Sequence, residues 1–240
     1  MNLLFVYIQT QHPCYITVLS IHYNIGYAQL IRNKFMDKKL EKYFHEKLLL
    51  FSQEHNEAGR QKIEDEVWGN YGAERVVFIL DMSGFSLLTR KYGIIHYLSM
   101  VRRMQLIAKP IVSAHEGTMI KFEADNCFAV FPDTLPAIQA AIALQFEFEA
   151  SNLLTPDDFD VHIACGIDYG KVLIIGDEDC FGDPVNRACK LGEDTAAAGE
   201  ILVTREAMQR LPPNSGIKSH PLSVSISGIT IPSYIIDYHA

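Results

Sequence analysis

The sequence carries no surplus of positive charge: 21 Lys and Arg against 29 Asp and Glu leave a net charge of −8 at pH 7. A chain that holds nucleic acid by its phosphates needs the opposite balance, so sequence-independent nucleic-acid binding is disfavoured. The five cysteines (Cys14, Cys127, Cys165, Cys180, Cys189) form no C-x-x-C pair and no dense framework. That argues against a secreted disulfide scaffold and for a reducing compartment, the cytoplasm. His96, His115, His162 and His220 are scattered without ligand spacing, which argues against zinc. No Ser–His–Asp or Cys–His arrangement, internal repeat or low-complexity tract stands out. Residues 1–31 lack Asp, Glu, Lys and Arg altogether, yet Gln9, Gln11, His12 and Pro13 interrupt the apolar run, and His22, Asn24 and Gln29 interrupt it again. A membrane span needs about 20 predominantly apolar residues, and a signal peptide needs a basic start. Neither is expected here.

Hydrophobic residues make up 48% of the 240 positions, enough for a packed core. Three regions separate by composition. Residues 1–31 form a strand-like lead-in of unknown role, with LLFVYI and CYITVLSI rich in β-branched and aromatic residues. Residues 32–72 are dense in charge, and Leu40, Phe44, Leu48 and Phe51 recur at helical spacing, so an amphipathic linker helix is expected through residue 67. Residues 73–240 alternate strands and helices.

RVVFILD is a buried strand ending on an acid. A helix over 86–115 follows, with Pro110 at a kink or break. TMIKFEADNCFAVF reads as strand, turn and strand with Ala124, Asp125 and Asn126 at the tip. TLPAIQAAIALQFEFEAS is a helix whose apolar stripe is core. VHIACGIDYGKVLIIG reads as a second hairpin turning near Asp168–Gly170, and DPVNRACKL as a short helix with Asp183 at the N-cap and Pro184 at N1. EILVT, a helix through Arg210 and strands near 217–226 and 230–238 complete the order. The expected fold is α+β, a ferredoxin-like βαββαβ sandwich with its sheet on one side and helices on the other.

Two acids stand out. Asp81 ends a buried strand and precedes the small-residue turn Met82-Ser83-Gly84 into a helix, where backbone N–H groups suit a phosphate. Asp125 sits at a hairpin tip. If the two strands are neighbours, both carboxylates lie at one end of the sheet, an arrangement that suits Mg²⁺ in phosphoryl or nucleotidyl chemistry. Taken alone, each acid is also explained as a helix cap or a turn residue.

Four stretches together resemble the class III nucleotidyl cyclase catalytic domain. FILDMSGFSLLT resembles the family's first metal motif, and KFEADNCFAVF its second, with a Lys four residues before the metal Asp. Asp125 follows Asp81 by 44 residues, in keeping with the family. DCFGDPVNRACKL resembles the third motif, with its base-reading position seven residues before Asn186 and its catalytic basic residue four after it. CGIDYGKVLIIG resembles the hairpin before that motif. The resemblance covers about residues 75–210 and implies the βαββαβ fold.

The resemblance also implies roles. Asp81 and Asp125, with the Met82 carbonyl, are expected to hold two Mg²⁺ or Mn²⁺ ions per site. The N–H groups of Gly84, Phe85 and Ser86 are expected to bind the β- and γ-phosphates, and Asn186 to orient the ribose. Lys121 and Asp179 as donor and acceptor match adenine N1 and N6, and guanine presents the reverse pattern. The implied reaction is ATP to 3′,5′-cyclic AMP and pyrophosphate.

Lys190 stands where the family usually has an Arg, supplying charge without the bidentate fork. Ser227, beside Gly228, stands where many members have a phosphate-binding Lys. Arg187 lies near Lys190 round the helix, and reads as a solvated or interface arginine. The family's sites form between two chains, which implies a head-to-tail homodimer here, with an upstream sensor or partner domain possible. The alternative is a catalytically weak cyclase-homology regulatory module that binds nucleotide or a partner chain. Lys190 and Ser227 favour it, and the presence of Asp81, Asp125, Lys121 and Asp179 favours the enzyme.

Overall fold

The computed structural model describes residues 39–226 and 229–239. The strand-like lead-in, residues 32–38 of the expected linker helix, and Ser227 with Gly228 lie outside the described residues. Residues 39–53 form helix α1. After it come α2 (Glu57–Tyr71), β1 (Gly72–Met82), α3 (Phe85–Tyr92), α4 (Ile94–Ala114), β2 (Thr118–Glu123), β3 (Asn126–Phe131) and α5 (Thr134–Asn152). The chain continues with β4 (Ile163–Ile175), β5 (Asp179–Phe181), α6 (Asp183–Gly192), β6 (Ile201–Thr204), α7 (Arg205–Met208), β7 (Lys218–Ile226) and β8 (Ile229–Asp237).

The uninterrupted run Val76–Leu80 is fully buried because β1 lies between β3 and β4, antiparallel to both. A strand covered on both faces carries apolar residues without alternation. The sheet order is β2-β3-β1-β4-β6-β8-β7, with β5 paired to β4. Together with its helices it forms the expected α+β architecture. Successive side chains of β1 point to opposite faces: Phe78, Leu80 and Met82 pack with Met100, Met104 and Leu144 of α4 and α5, and Val77 and Ile79 pack with Val185 and Ala188 of α6. Thus α6 covers a second face that the one-sided sandwich left open. Glycine permits that close approach, since a Cβ on Gly166 of β4 would stand 2.1 Å from the Ala188 carbonyl oxygen.

Other expectations need correction. The linker helix is two helices, broken at residues 54–56, where the Asn56 side chain caps α2 by accepting from the Ala58 amide at 3.1 Å. The two helices fold back on each other: Lys47 pairs with Glu66, the Tyr71 hydroxyl donates to the Leu40 carbonyl at 2.7 Å, and Phe44 packs edge-on to Tyr71. The helix over 86–115 is likewise two, divided at Gly93, whose φ of +89° suits glycine. Pro110 lies within α4, which continues to Ala114.

The second hairpin is absent, because β4 runs straight through Asp168–Gly170 and pairs with all of β1. Gly182, and not Asp183, is the N-cap of α6, with its carbonyl accepting from Val185 and Asn186. The helix expected through Arg210 stops at Met208.

Candidate active site

Asp81 is the penultimate residue of β1 and lies directly across from Asn126, the first residue of β3. Asp125 occupies the turn between β2 and β3. The Met82 amide donates to the Asp125 carbonyl at 3.2 Å, and the Ser83 amide donates to the His162 carbonyl at 2.9 Å. The first bond ties the hairpin tip to the end of β1 and the second ties the following residue to the start of β4, so both carboxylates lie at one end of the sheet. The neighbouring Ala124 has a φ of +51°, a left-handed conformation that disfavours a Cβ.

Gly84, with φ +95°, turns the chain into α3, and no side chain caps that helix start. The first amides of a helix lack partners within it, so the N–H groups of Gly84, Phe85 and Ser86 begin α3 beside Asp81.

Burial pushes the Asp81 carboxyl up to about 7, aided by the negative charges of Asp125 and Glu193. Tyr97 of α4 is 2% exposed and lies close enough to the Asp125 carboxylate to feel its charge. Burial first, and then that carboxylate, raise the Tyr97 phenol above its ordinary range. Two like charges held close in a partly dry setting favour a divalent cation or a proton. The oxygen-only donors suit a hard cation. Among the described residues, however, no group of three or more His, Cys, Asp or Glu side chains is arranged to hold a metal.

Lys121 and Asp179 come together, with Lys121 Nζ 3.1 Å from Asp179 Oδ1. β2 and β5 are not adjacent in the strand order, so this contact is tertiary. Lys121 also meets Glu123 at 2.6 Å and lies over the Phe128 ring. Burial works to lower the Lys121 pKa, and the bonds to Glu123 and Asp179 outweigh it, so the ammonium is held above its ordinary value.

Asn186 and Lys190 are one turn apart on α6 and line a cleft of about 500 Å³ with Asp183, Arg187, Cys189 and Ile231. Among the described residues no hydrogen bond or ion pair joins Asn186 or Lys190 to the two acids. Arg187 is engaged elsewhere: its Nε donates to Asp168 Oδ2 at 2.6 Å. Asp168 is fully buried and also accepts from the Tyr169 amide and the Thr204 hydroxyl. Arg187 is therefore a structural partner of Asp168.

The sequence marks neither Tyr97 nor Glu123. Tyr97 falls on the apolar face of α4, where an aromatic reads as core. Glu123 offered a signal, since it sits two residues from Lys121 on the same strand face.

No protein-family model matches the sequence. "Putative adenylate cyclase 3" of Rhizobium meliloti is 30% identical over 129 residues, covering 53% of this chain and 22% of its own length. The chain spans between 22% and 39% of the length of the curated relatives it matches. The guanylyl cyclase Cya2 superimposes with a TM-score of 0.60 at 16% identity, over 69% of this chain and 92% of that one. The adenylyl cyclase CyaB from P. aeruginosa gives 0.59 at 19%, over 69% and 95%.

The chain has the class III nucleotidyl cyclase fold. The resemblance of the motifs and the likeness of the structures thus agree. Adenylyl and guanylyl cyclases share this cyclase fold, so the fold leaves the base to the side chains. Among the described residues no helix is long and apolar enough to cross a membrane.

Proposed function

We propose that this chain is an adenylate cyclase that converts ATP to 3′,5′-cyclic AMP and pyrophosphate at a homodimer interface. The Lys121–Asp179 pair carries the reading of the base. In this reading Lys121 Nζ donates to adenine N1 and the Asp179 carboxylate accepts from the N6 amino group. Guanine would place a donor against the ammonium and an acceptor against the carboxylate, leaving buried polar groups unpaired.

Asp81, Asp125 and the Met82 carbonyl would hold Mg²⁺ or Mn²⁺, two per site. Bound there, the ions would supply Lewis-acid activation of the ribose 3′-hydroxyl and neutralise phosphate charge. The amides of Gly84, Phe85 and Ser86 hold the β- and γ-phosphates, and Asn186 orients the ribose. Lys190 places positive charge at the transferring phosphate. One chain supplies the acids and its partner the base-reading and α6 residues, as a symmetric head-to-tail pair. Leu87, Ile94, Ile95 and Leu98 stand exposed on α3 and the start of α4, where a second copy would cover them. In this scheme residues 73–240 are the catalytic domain, preceded by the 32–72 helical segment and the 1–31 lead-in, and the protein works in the cytoplasm.

The test is purified protein with ATP or GTP and Mn²⁺ or Mg²⁺, reading cyclic nucleotide by mass beside Asp125→Ala. Cyclic AMP from the unaltered chain alone supports the reading, and cyclic GMP as the main product overturns the base assignment. One observation favours a second reading, a regulatory module of low turnover: Lys190 replaces the fork of an arginine. A clean dimer that binds ATP and yields no cyclic product would select it.

A further inference from the structure

Resting on the reading of Asp81 and Asp125 as cation ligands, we infer that Asn126 is a further oxygen ligand of the same cation through its side-chain carbonyl. Two carboxylates and a backbone carbonyl leave a hard divalent cation short of the six or more oxygens it takes. The described residues contain no third His, Cys, Asp or Glu arranged to complete the set. Substrate phosphates can fill some of the remaining positions. Asn126 is placed to fill another.

Asn126 begins β3 and pairs directly with Asp81 of β1. Residues directly opposite on antiparallel strands project to the same face, with their Cβ atoms about 5 Å apart. It also follows Asp125 without a break, so it adjoins both acids at once. Its Oδ1 is buried and has no hydrogen-bond partner.

An orphaned buried acceptor is costly, since it has given up water without replacement. Here it is also set beside negative groups, since it lies directly across from Asp81 and next to Asp125 in the chain. Ionised carboxylates donate nothing to a carbonyl oxygen. A bound divalent cation satisfies both the acids and the amide oxygen at once, and it takes the place of the proton that Asp81 otherwise keeps.

The test is Mn²⁺ alone, without nucleotide, titrated into the full chain and followed by water-proton relaxation enhancement. Wild type, Asn126→Ala, Asn126→Asp, Asp81→Ala and Asp125→Ala are compared, each with a thermal melt in EDTA. Asn126→Ala is expected to weaken Mn²⁺ binding about tenfold or more and to leave the metal-free melting temperature unchanged or higher. Asn126→Asp, which keeps an oxygen in place, is expected to bind at least as well as wild type.

The inference is overturned if Asn126→Ala binds Mn²⁺ like wild type while Asp81→Ala and Asp125→Ala lose it. In that case the two-carboxylate reading stands alone. If neither acid variant alters binding, or wild type shows no enhancement, the cation reading fails and takes this one with it. A merely structural amide, donating through Nδ2 to a carboxylate, predicts the reverse pattern for Asn126→Ala: a lower metal-free melting temperature and unchanged Mn²⁺ binding.

Discussion

Removing the ionisable group at Asp81 should make the metal-free protein more stable at pH 8 than wild type. Asp81 is only partly exposed, and burial together with Asp125 and Glu193 raises its carboxyl from 3.8 to about 7. In the unfolded chain the same group ionises near its ordinary value. Between about pH 4 and 7 the native state therefore keeps a proton that the unfolded state has released, and stability falls as pH rises through that window. From pH 5 to 7 the difference spans two units, a ceiling of about 2.7 kcal/mol at 1.36 kcal/mol per unit. Water reaches part of the side chain, which reduces the expected loss to about 1–2 kcal/mol. Asp81→Asn cannot ionise and should escape that loss. The assay is urea unfolding in EDTA at pH 5, 6, 7 and 8 for both proteins. The gap between them should widen steadily to pH 7 and then level off. Mn²⁺ at pH 8 should stabilise wild type and leave Asp81→Asn almost unchanged, since cation binding selects the ionised pair. Parallel pH curves would refute the argument.

Two further outcomes follow from the packing and from the chemistry of α6. Gly166→Ala would force a methyl to within 2.1 Å of the Ala188 carbonyl, so α6 must move. A loss of about 3 kcal/mol in denaturant unfolding is expected, at the upper end for overpacking, with Asn186 and Lys190 displaced as well. Lys190→Arg restores a planar, two-pronged donor. It should raise kcat for cyclic AMP formation several-fold with little change in KM, because the gain falls on the transition state. An unchanged kcat would show that charge alone suffices at this position and that the fork adds nothing.

Much of the site could be read along the chain. The run Val76–Leu80 announces a central strand, so the acid after it must emerge at a sheet end. The apolar stretches either side of Ala124 and Asp125 announce a hairpin with an acid at its tip. Lys121 and Asp179 were linked through the resemblance of their motifs, and the structure brings them to 3.1 Å.

What failed was local inference about polar residues whose partners are distant. Asp168-Tyr169-Gly170 has turn chemistry, yet β4 passes through it as strand. Arg187 and Thr204, 19 and 36 residues further on, bind the Asp168 carboxylate. Gly170 is needed for another reason: a Cβ there would stand 2.8 Å from the Pro184 ring. The break between α1 and α2 was likewise hidden, because both helices carry helical periodicity and only three residues separate them.

The sequence by itself therefore determined the α+β class, the places of Asp81 and Asp125 at the ends of their elements, and the spacing of the cyclase-like motifs. Each depends on periodicity or on order along the chain. The tertiary structure alone decided that α6 covers the second face of the sheet, that Tyr97 reaches Asp125, that Arg187 is committed to Asp168, and that Asn126 Oδ1 is buried beside two acids without a partner. Each of these depends on which distant groups share a buried space. There a polar atom's free energy is set by its neighbours and not by its own residue type.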